Sequence, residues 1–299
     1  MTETPNQPSR VWVWLQAARP KTLWAAVSSV LVGTSLAWRD GGFHLWAALG
    51  AVAGAVLLQI AANFANDLFD FERGADTHER LGPLRVTQAG FVTPGGMRRA
   101  LFTVIGAAMM IGLLLIWRGG WPILAIGVLG IVAAILYTGG PYPYGYHGLG
   151  EVFVFIFFGL AAVIGTYYVQ TLTITMTAVL LSIPMGLLAV AILVVNNLRD
   201  IDTDRRSGKR TLAVLLGREG TRIEYATVVI VSALVPVIIL GVGLSSAGVL
   251  LASACLLPAW RLIRMVFTTT DGPTMNTILA RTAQLQIVFG ILLAIGLNL

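Results

Sequence analysis

Residues 43–76, FHLWAALGAVAGAVLLQIAANFANDLFDFERGAD, place a long apolar run directly before a cluster of amides and carboxylates. The first twenty of these residues, Phe43 to Ala62, include no charged residue, and only His44 and Gln59 are strongly polar. An α-helix needs about 20 mostly apolar residues to cross the hydrocarbon core of a bilayer. The stretch therefore predicts a membrane-spanning helix that carries polar side chains at its end.

The composition of the whole chain also indicates a membrane protein. Of its 299 residues 57% are hydrophobic and 11% are charged, and the mean hydropathy is +0.81, outside the range of soluble domains. Because backbone amides in lipid must be paired within their own segment, we expect helices. The sequence predicts an all-α integral membrane protein with nine transmembrane helices in one domain, residues 1–299. The predicted spans are Thr22–Trp38, Phe43–Asn66, Arg99–Trp117, Trp121–Thr138, Glu151–Gln170, Ile174–Asn197, Tyr225–Val242, Ser246–Val266 and Thr277–Leu297.

The basic residues support this count. With a cytoplasmic N-terminus, all 20 Lys and Arg residues except Arg39 and Arg118 fall on the inner side, as the positive-inside rule requires. The net charge of +6 then reflects topology, and we expect no nucleic-acid partner. Residues 1–10 are expected to form a disordered cytoplasmic tail without a signal-peptide cleavage site. The long connections 67–98, 139–150 and 199–224 all fall on the cytoplasmic side, where we expect the chemistry.

A second segment, NNLRDIDTDRRSGKR at residues 196–210, repeats the pattern of an apolar run followed by amides and acids. Helix positions i, i+3, i+4 and i+7 share one face, and both motifs have this spacing. Both preceding helices run from outside to inside, so the motifs end at the same depth. Mg²⁺ prefers oxygen ligands and often binds carboxylates together with substrate phosphates. The two motifs therefore predict a diphosphate held by Mg²⁺ between facing stripes: Asn63, Asn66, Asp67 and Asp70 in the first, and Asn197, Asp200 and Asp204 in the second.

Two other interpretations of these acids stay open at this point. They could form solvated loops paired with neighbouring arginines such as Arg73, Arg80, Arg205 and Arg206. They could instead form the ion path of a cation transporter. Transporters generally bind their ions near the bilayer midplane, whereas these acids are predicted at the inner boundary, which disfavours transport.

These motifs resemble the UbiA superfamily of intramembrane aromatic prenyltransferases. That family carries an NDxxD-type motif after its second helix and a DxxxD motif after its sixth. Here the motifs are NDLFD at residues 66–70 and DIDTD at residues 200–204. Several loops are similar to the branch that prenylates 1,4-dihydroxy-2-naphthoate: RPKTL (19–23), NDLFDFERGAD (66–76), RLGPLRVTQ (80–88), YTGGPYPYGYHGLGE (137–151) and NNLRDIDTDRRSGKRTLAVLLG (196–217).

Two positions depart from the wider family pattern. The acid expected four residues after Asp70 is Gly74, and we expect Asp76 to replace it. Other branches place a Lys four residues after a loop Tyr, whereas Tyr137 is followed at that spacing by Pro141. Lys209 or Arg85 is expected to substitute for that Lys.

The resemblance implies an enzyme that transfers a polyprenyl group from polyprenyl diphosphate to dihydroxynaphthoate, with Mg²⁺ as cofactor and loss of diphosphate and CO₂. It implies menaquinone synthesis at the cytoplasmic (inner) membrane of a bacterium, with an active site open to the cytoplasm and the bilayer as partner. The oligomeric state stays open. The alternative is another branch, with 4-hydroxybenzoate, homogentisate or a lipid as acceptor.

The resemblance also implies roles for single residues. The catalytic set is Asp67, Asp70, Tyr137, Asp200 and Asp204. The metal ligands are Asn66, Asp67, Asp70, Asp76, Asn197, Asp200 and Asp204. The diphosphate contacts are Lys21, Arg73, Arg80, Arg85, Arg199 and Lys209, and the aromatic-substrate contacts are Arg19, Asn63 and Tyr142. Simpler roles stay open for some: headgroup anchors for Arg19 and Lys21, an ion pair with Asp202 for Arg199, and an interfacial aromatic belt for the tyrosines.

Overall fold

The computed structural model describes residues 8–74 and 82–299. These ranges are helical apart from turns and short connections, with no strand among them, so the predicted all-α fold is confirmed. One 3₁₀ turn, Tyr144–His147, lies between the helices that end at Leu136 and begin at Gly150, and another, Ala247–Val249, lies near the C-terminal end of the chain. The helices are α1 (Arg10–Ala18), α2 (Pro20–Arg39), α3 (Leu45–Glu72), α4 (Pro94–Gly119), α5 (Trp121–Leu136), α6 (Gly150–Thr171), α7 (Met176–Arg206), α8 (Leu212–Gly241), α9 (Ala247–Thr268) and α10 (Gly272–Gly296).

Seven of the described helices, α3, α4 and α6 to α10, are long and apolar enough to cross a membrane. The chain is therefore a multi-pass membrane protein. Two helices at predicted spans are not among these seven. Helix α5 is apolar but has only 16 residues, and α2 begins with a polar turn that contains Lys21. Both helices form where spans were predicted, but the total of nine spans and the cytoplasmic N-terminus stay predictions.

Helices α3 and α7 are longer than the apolar runs that predicted them. The predicted spans ended at Asn66 and Asn197, whereas α3 continues to Glu72 and α7 to Arg206. The first positive φ angle after each motif belongs to a glycine, Gly74 or Gly208, the usual residue at a helix C-terminus. Both acidic motifs are therefore final helical turns, held more rigidly than loop residues.

The connection after the second motif is consequently much shorter than the predicted loop 199–224. Helix α8 begins at Leu212, where the Thr211 hydroxyl accepts a hydrogen bond from the amide of Val214, as an N-cap does. Residues 207–211 separate α7 from α8, and α8 is kinked at Gly217, whose φ of 70° and ψ of 176° are not helical. The prediction of a long loop was wrong because polar residues at a membrane boundary can continue a helix as readily as they can end one.

Helix α7 forms the centre of the bundle. In its most apolar 18-residue window 67% of the residues are buried, against 17% for α3 and for α4. It packs against α6, α8 and α10, and these helices share one large apolar core with α2 and α9. Helices α1, α3 and α4 share a second, smaller core that includes Phe64, Leu68 and Met97. The two motifs therefore belong to different helix groups, which approach each other around a cavity.

Glycines allow α6 and α7 to pack at very short distance. A Cβ atom at Gly159 would lie 2.7 Å from the carbonyl oxygen of Ser182 and 2.8 Å from the Cα of Gly186. Gly159 lies in a π-helical segment of α6, Phe155–Ile164. Small residues at a helix crossing allow close backbone approach in membrane proteins, so this contact fixes α6 against the helix that carries the second motif.

We predict that Gly159→Ala lowers the stability of the bundle by about 1–3 kcal/mol, because the new methyl group meets backbone atoms that cannot rotate away. The measurement is the midpoint of thermal unfolding in detergent. The matched control is Gly106→Ala in α4, where a Cβ meets no atom within 4 Å. Equal midpoints for the two variants would contradict the proposed close contact.

Candidate active site

A cavity of about 1260 Å³ lies between the helix groups. Its walls are mostly apolar and include Leu58, Ile126 and Phe157. One end is lined by both acidic motifs, and the other reaches Ile116 and Val169, near the opposite ends of the helices. The cavity is therefore polar at one end and apolar along its length, a shape suited to an amphiphile with an anionic head.

The two motifs meet at the polar end of this cavity. Helix α3 contributes Asn66 and Asp70, and α7 contributes Asn197, Asp200 and Asp204. The cavity lining also includes five other residues with predicted roles: Arg19, Lys21, Arg85, Tyr137 and Lys209. The predicted convergence of the motifs is thus confirmed, whereas the chemical roles of these residues stay predictions.

Asp70 contacts side chains from three other parts of the chain. Arg85 Nη2 lies 2.6 Å from Asp70 Oδ2, and Lys209 Nζ lies 3.2 Å from Oδ1. The Tyr146 hydroxyl also donates to Oδ1, and Lys209 Nζ lies 4.5 Å from the centre of the Tyr146 ring. A buried charge needs such partners because its lost hydration would otherwise destabilise the fold. Lys209 follows α7 directly, so its contact with Asp70 links the two motifs.

Asp200 has a different counter-ion. Arg199 donates from Nε to Asp200 Oδ1 at 2.8 Å and from Nη2 to Oδ2 at 2.5 Å. The same guanidinium donates to Asn276 on α10 at 2.7 Å and to Asn196 at 2.9 Å. Arg199 is buried and does not line the cavity, and its diphosphate contact stays a prediction. The alternative ion pair of Arg199 with Asp202 was wrong, because Asp202 pairs with Arg218 on the surface.

Asp67 lies outside the cavity, in contrast to its predicted role as metal ligand and catalytic residue. Its Oδ2 and Oδ1 accept hydrogen bonds from the backbone amides of Val86 and Thr87 at 3.1 and 3.0 Å. The side chain is only 1% exposed. Asp67 therefore holds the segment before α4 against α3, and so places Arg85 beside Asp70.

Two predicted contacts to the aromatic substrate also lie outside the cavity. Asn63 is buried and donates to Ala18 O at 2.8 Å and Thr22 Oγ1 at 3.1 Å, which ties α3 to the corner between α1 and α2. Tyr142 is 59% exposed, and its ring stacks on His147 at 3.8 Å between centroids. Neither residue lines the cavity, and their contacts with the aromatic substrate stay predictions.

Arg19 does line the cavity and occupies an unusual backbone position. Its φ of 52° and ψ of 68° place it in the left-handed region, between α1 and α2. Such conformations cost energy for a residue other than glycine and are often found at functional sites. Lys21, in the first turn of α2 after this corner, also lines the cavity.

The remaining predicted residues lie at or beyond the edge of the site. Arg73 is exposed, donates to the Gly140 carbonyl and lies 5.9 Å from the centre of the Tyr146 ring. Asp76 and Arg80 fall outside the described residues. Their predicted contacts with metal and diphosphate stay predictions.

Sequence reasoning missed several polar residues at the site. Tyr146 contacts Asp70, Thr138 donates to Asn66 Oδ1 at 3.1 Å, and Asn196 lines the cavity beside Asn197. The loop at residues 137–151 is rich in tyrosine, but its composition cannot show which ring faces inward. Tyr144 instead donates to the Ala133 carbonyl at 2.8 Å, and burial raises the pKa of its hydroxyl, so it stays a neutral donor.

Similar proteins identify the class. Residues 26–285 match the UbiA prenyltransferase family, and the chain belongs to that family. It is 44% identical over 229 residues to a 1,4-dihydroxy-2-naphthoate octaprenyltransferase of Escherichia coli (strain K12). The aligned region covers 75% of this chain and 74% of the relative. A protein of Haemophilus influenzae with the same description is 37% identical over 294 residues, 95% of each chain.

Solved structures show the same fold. A UbiA homolog from Archaeoglobus fulgidus, described as bound to GPP and Mg²⁺, superposes with a TM-score of 0.68 at 12% sequence identity. The alignment covers 94% of this chain and 99% of the homolog. The chain therefore has the same overall helical fold as this homolog.

We predict that Asp67→Asn lowers stability by about 1–3 kcal/mol, because one of the two backbone amides then faces the side-chain NH₂ instead of an acceptor. The measurement combines thermal unfolding with a titration of activity against Mg²⁺. The Mg²⁺ concentration at half-maximal rate should stay unchanged. A large increase in that concentration at unchanged stability would restore Asp67 as a metal ligand.

Proposed function

We propose that this protein transfers a polyprenyl group from polyprenyl diphosphate to 1,4-dihydroxy-2-naphthoate, with Mg²⁺ and loss of CO₂, in menaquinone synthesis. The observation that carries the proposal is the pair of oxygen-rich motifs at the polar end of one long apolar cavity. The relatives described as dihydroxynaphthoate octaprenyltransferases support this choice of acceptor. We also propose that the cavity opens to the cytoplasm at a bacterial inner membrane, where its basic residues would then lie.

The donor set fits a hard divalent cation. Within the described ranges there is no cluster of three or more His, Cys, Asp and Glu side chains that could hold a metal. Amide oxygens extend the set, and the candidate ligands are Asn66, Asp70, Asn197, Asp200 and Asp204, with Asp76 as a further candidate. Oxygen ligands shared with substrate phosphates are typical of Mg²⁺. When bound, Mg²⁺ would neutralise the charge that grows on the departing diphosphate.

The protein's own cations fit the same step. Arg85 and Lys209 neutralise Asp70 and lie at the cavity wall, and Lys21 lies at the same cavity. If a metal cation neutralises Asp70, Arg85 and Lys209 can turn their charge towards an incoming diphosphate. Preorganised positive groups around a leaving group lower the barrier to its departure.

The reaction breaks the C1–O bond of the allylic diphosphate, and the diphosphate keeps the electron pair. The ring carbon that bears the carboxylate of dihydroxynaphthoate forms the new bond to C1. The bond from that ring carbon to its carboxylate then breaks, CO₂ leaves, and the electron pair restores the aromatic ring. The apolar walls protect the allylic cation from water.

The length of the cavity suits a long isoprenoid tail. Ala51 and Asp70 of α3 both line it, and at the rise of an α-helix they lie about 28 Å apart. Between them the wall is apolar apart from a few side chains such as Gln59. A short, water-soluble allylic substrate would leave most of this surface uncovered.

The direct test is an assay of the purified protein in lipid nanodiscs with farnesyl diphosphate, dihydroxynaphthoate and Mg²⁺. We expect a prenylated naphthoquinol, stoichiometric CO₂ and no turnover after chelation of the metal. Turnover of 4-hydroxybenzoate, homogentisate or a lipid acceptor in place of dihydroxynaphthoate would support another branch of the family. Absence of any diphosphate release would overturn the proposal.

We predict that Asp204→Asn lowers the rate by roughly 10²-fold or more, because it removes a charged oxygen from the polar end of the cavity. The matched control is Asp202→Asn in the same motif. Asp202 is exposed and pairs with Arg218 on the surface, so its rate should match that of the wild type. Equal rate losses in both variants would show that the cavity-facing position has no special role.

A further inference from the structure

Glu151 is a buried carboxylate that the proposed reaction does not use. It lies in the first turn of α6, is 6% exposed, and lies outside the cavity. Its Oε1 accepts a hydrogen bond of 2.8 Å from Nδ2 of Asn197, which is also buried and lines the cavity. Glu151 therefore stands directly behind a residue of the second motif.

This contact determines which way the amide of Asn197 faces. The Glu151 oxygen accepts this hydrogen bond, so the NH₂ group of Asn197 faces Glu151. The carbonyl oxygen of the amide then points away from Glu151. Asn197 precedes Asp200 by three residues and Asp204 by seven, so all three share one helix face.

The position of Glu151 is itself fixed by packing. A Cβ atom at the neighbouring Gly150 would lie 3.2 Å from Leu193 Cδ2 and 3.3 Å from the Tyr137 hydroxyl. The absence of a side chain at Gly150 thus lets the first turn of α6 lie close to α7. A carboxylate in the first turn of a helix is also favoured by the helix dipole.

We infer that Glu151 is a positioning residue, which orients the Asn197 amide so that its carbonyl oxygen is a ligand for the divalent cation. This inference rests on the proposed function, since it concerns the cation that accompanies the prenyl diphosphate. A hydrogen-bonded carboxylate behind a metal ligand also increases the basicity of that ligand, and loss of such a partner typically weakens metal affinity by about 10- to 100-fold.

A merely structural role for Glu151 would have different consequences. If the carboxylate only stabilised the start of α6, its replacement would lower the unfolding midpoint without changing the Mg²⁺ requirement.

A general effect of negative charge near Asn197 can also be separated from the specific hydrogen bond of Glu151. Glu224 on α8 is half-buried, and its charge repels that of Glu151, but no hydrogen bond between Glu224 and Asn197 is found among the described residues. Glu224→Gln is therefore a matched control.

The test measures binding of geranyl thiodiphosphate by calorimetry at a series of Mg²⁺ concentrations. This compound is a prenyl diphosphate analogue in which the bond between C1 and the leaving group resists cleavage. For Glu151→Met we expect the Mg²⁺ concentration at half-maximal binding to rise about tenfold or more. Glu151→Gln keeps an acceptor oxygen and should stay close to the wild type, as should Glu224→Gln. Unfolding midpoints are recorded for every variant.

A double variant in which the acid and the amide of the Glu151–Asn197 pair change places keeps the test decisive if Glu151→Met fails to fold. Asn197→Asp alone should weaken binding, because its carboxylate faces that of Glu151. In the double variant Glu151→Gln with Asn197→Asp, the Gln NH₂ can donate to the new carboxylate, whose second oxygen faces the cavity. We expect the double variant to bind better than Asn197→Asp alone.

Three outcomes would overturn the inference. These are an unchanged Mg²⁺ requirement in Glu151→Met, an equal increase in Glu224→Gln, or no recovery in the double variant. Failure of the wild type to bind the analogue in the presence of Mg²⁺ would overturn the proposed function as well, so the two failures can be distinguished.

Discussion

The ion pairs of Asp70 bring together the parts of the chain on which the site depends. This carboxylate ends an apolar helix, is nearly inaccessible, and contacts Arg85 from the segment before α4, Lys209 from the turn after α7, and Tyr146 from the loop before α6. An unpaired charge at this depth would destabilise the fold by several kcal/mol. The approach of these three segments to α3 is therefore a requirement of folding as well as of chemistry. The same contacts place positive charge at the polar end of the cavity.

The structure separates two kinds of acid that look alike in the sequence. Asp70, Asp200 and Asp204 face the shared cavity, whereas Asp67 accepts backbone amides and Asp202 pairs with a surface arginine. Asp202 lies two residues from both Asp200 and Asp204, about 200° away around the helix, so it faces other surroundings. Asp67 has the helical spacing of Asp70, but the backbone amides of Val86 and Thr87 occupy its carboxylate. The motif therefore combines residues that build the site with residues that hold it in place.

Much of the fold could be predicted because the bilayer imposes simple rules. Apolar runs of sufficient length predicted the helices, and helical spacing with equal direction predicted that the two motifs would meet. The helix ends could not be predicted in the same way. A run of polar residues at the membrane boundary contains no signal for termination before Gly74 or Gly208.

The partners of individual side chains were the least predictable part of the site. Arg199 was expected to contact diphosphate or Asp202, but it pairs with the adjacent Asp200 because α10 brings Asn276 against its other side. Asn63 fits the motif spacing, yet the corner between α1 and α2 occupies its amide. In both cases a helix distant in sequence decides the contact, and no local pattern encodes that approach.

We propose that divalent metal and diphosphate together join α3 to α7 at the polar end of the cavity. The most direct measurement is an experimental structure with Mg²⁺ and farnesyl thiodiphosphate. We expect a cation contacted by Asp70 and by at least one carboxylate of the second motif, with the prenyl tail along the apolar wall. A diphosphate bound outside the cavity, or a cation held by only one of the two motifs, would contradict this account.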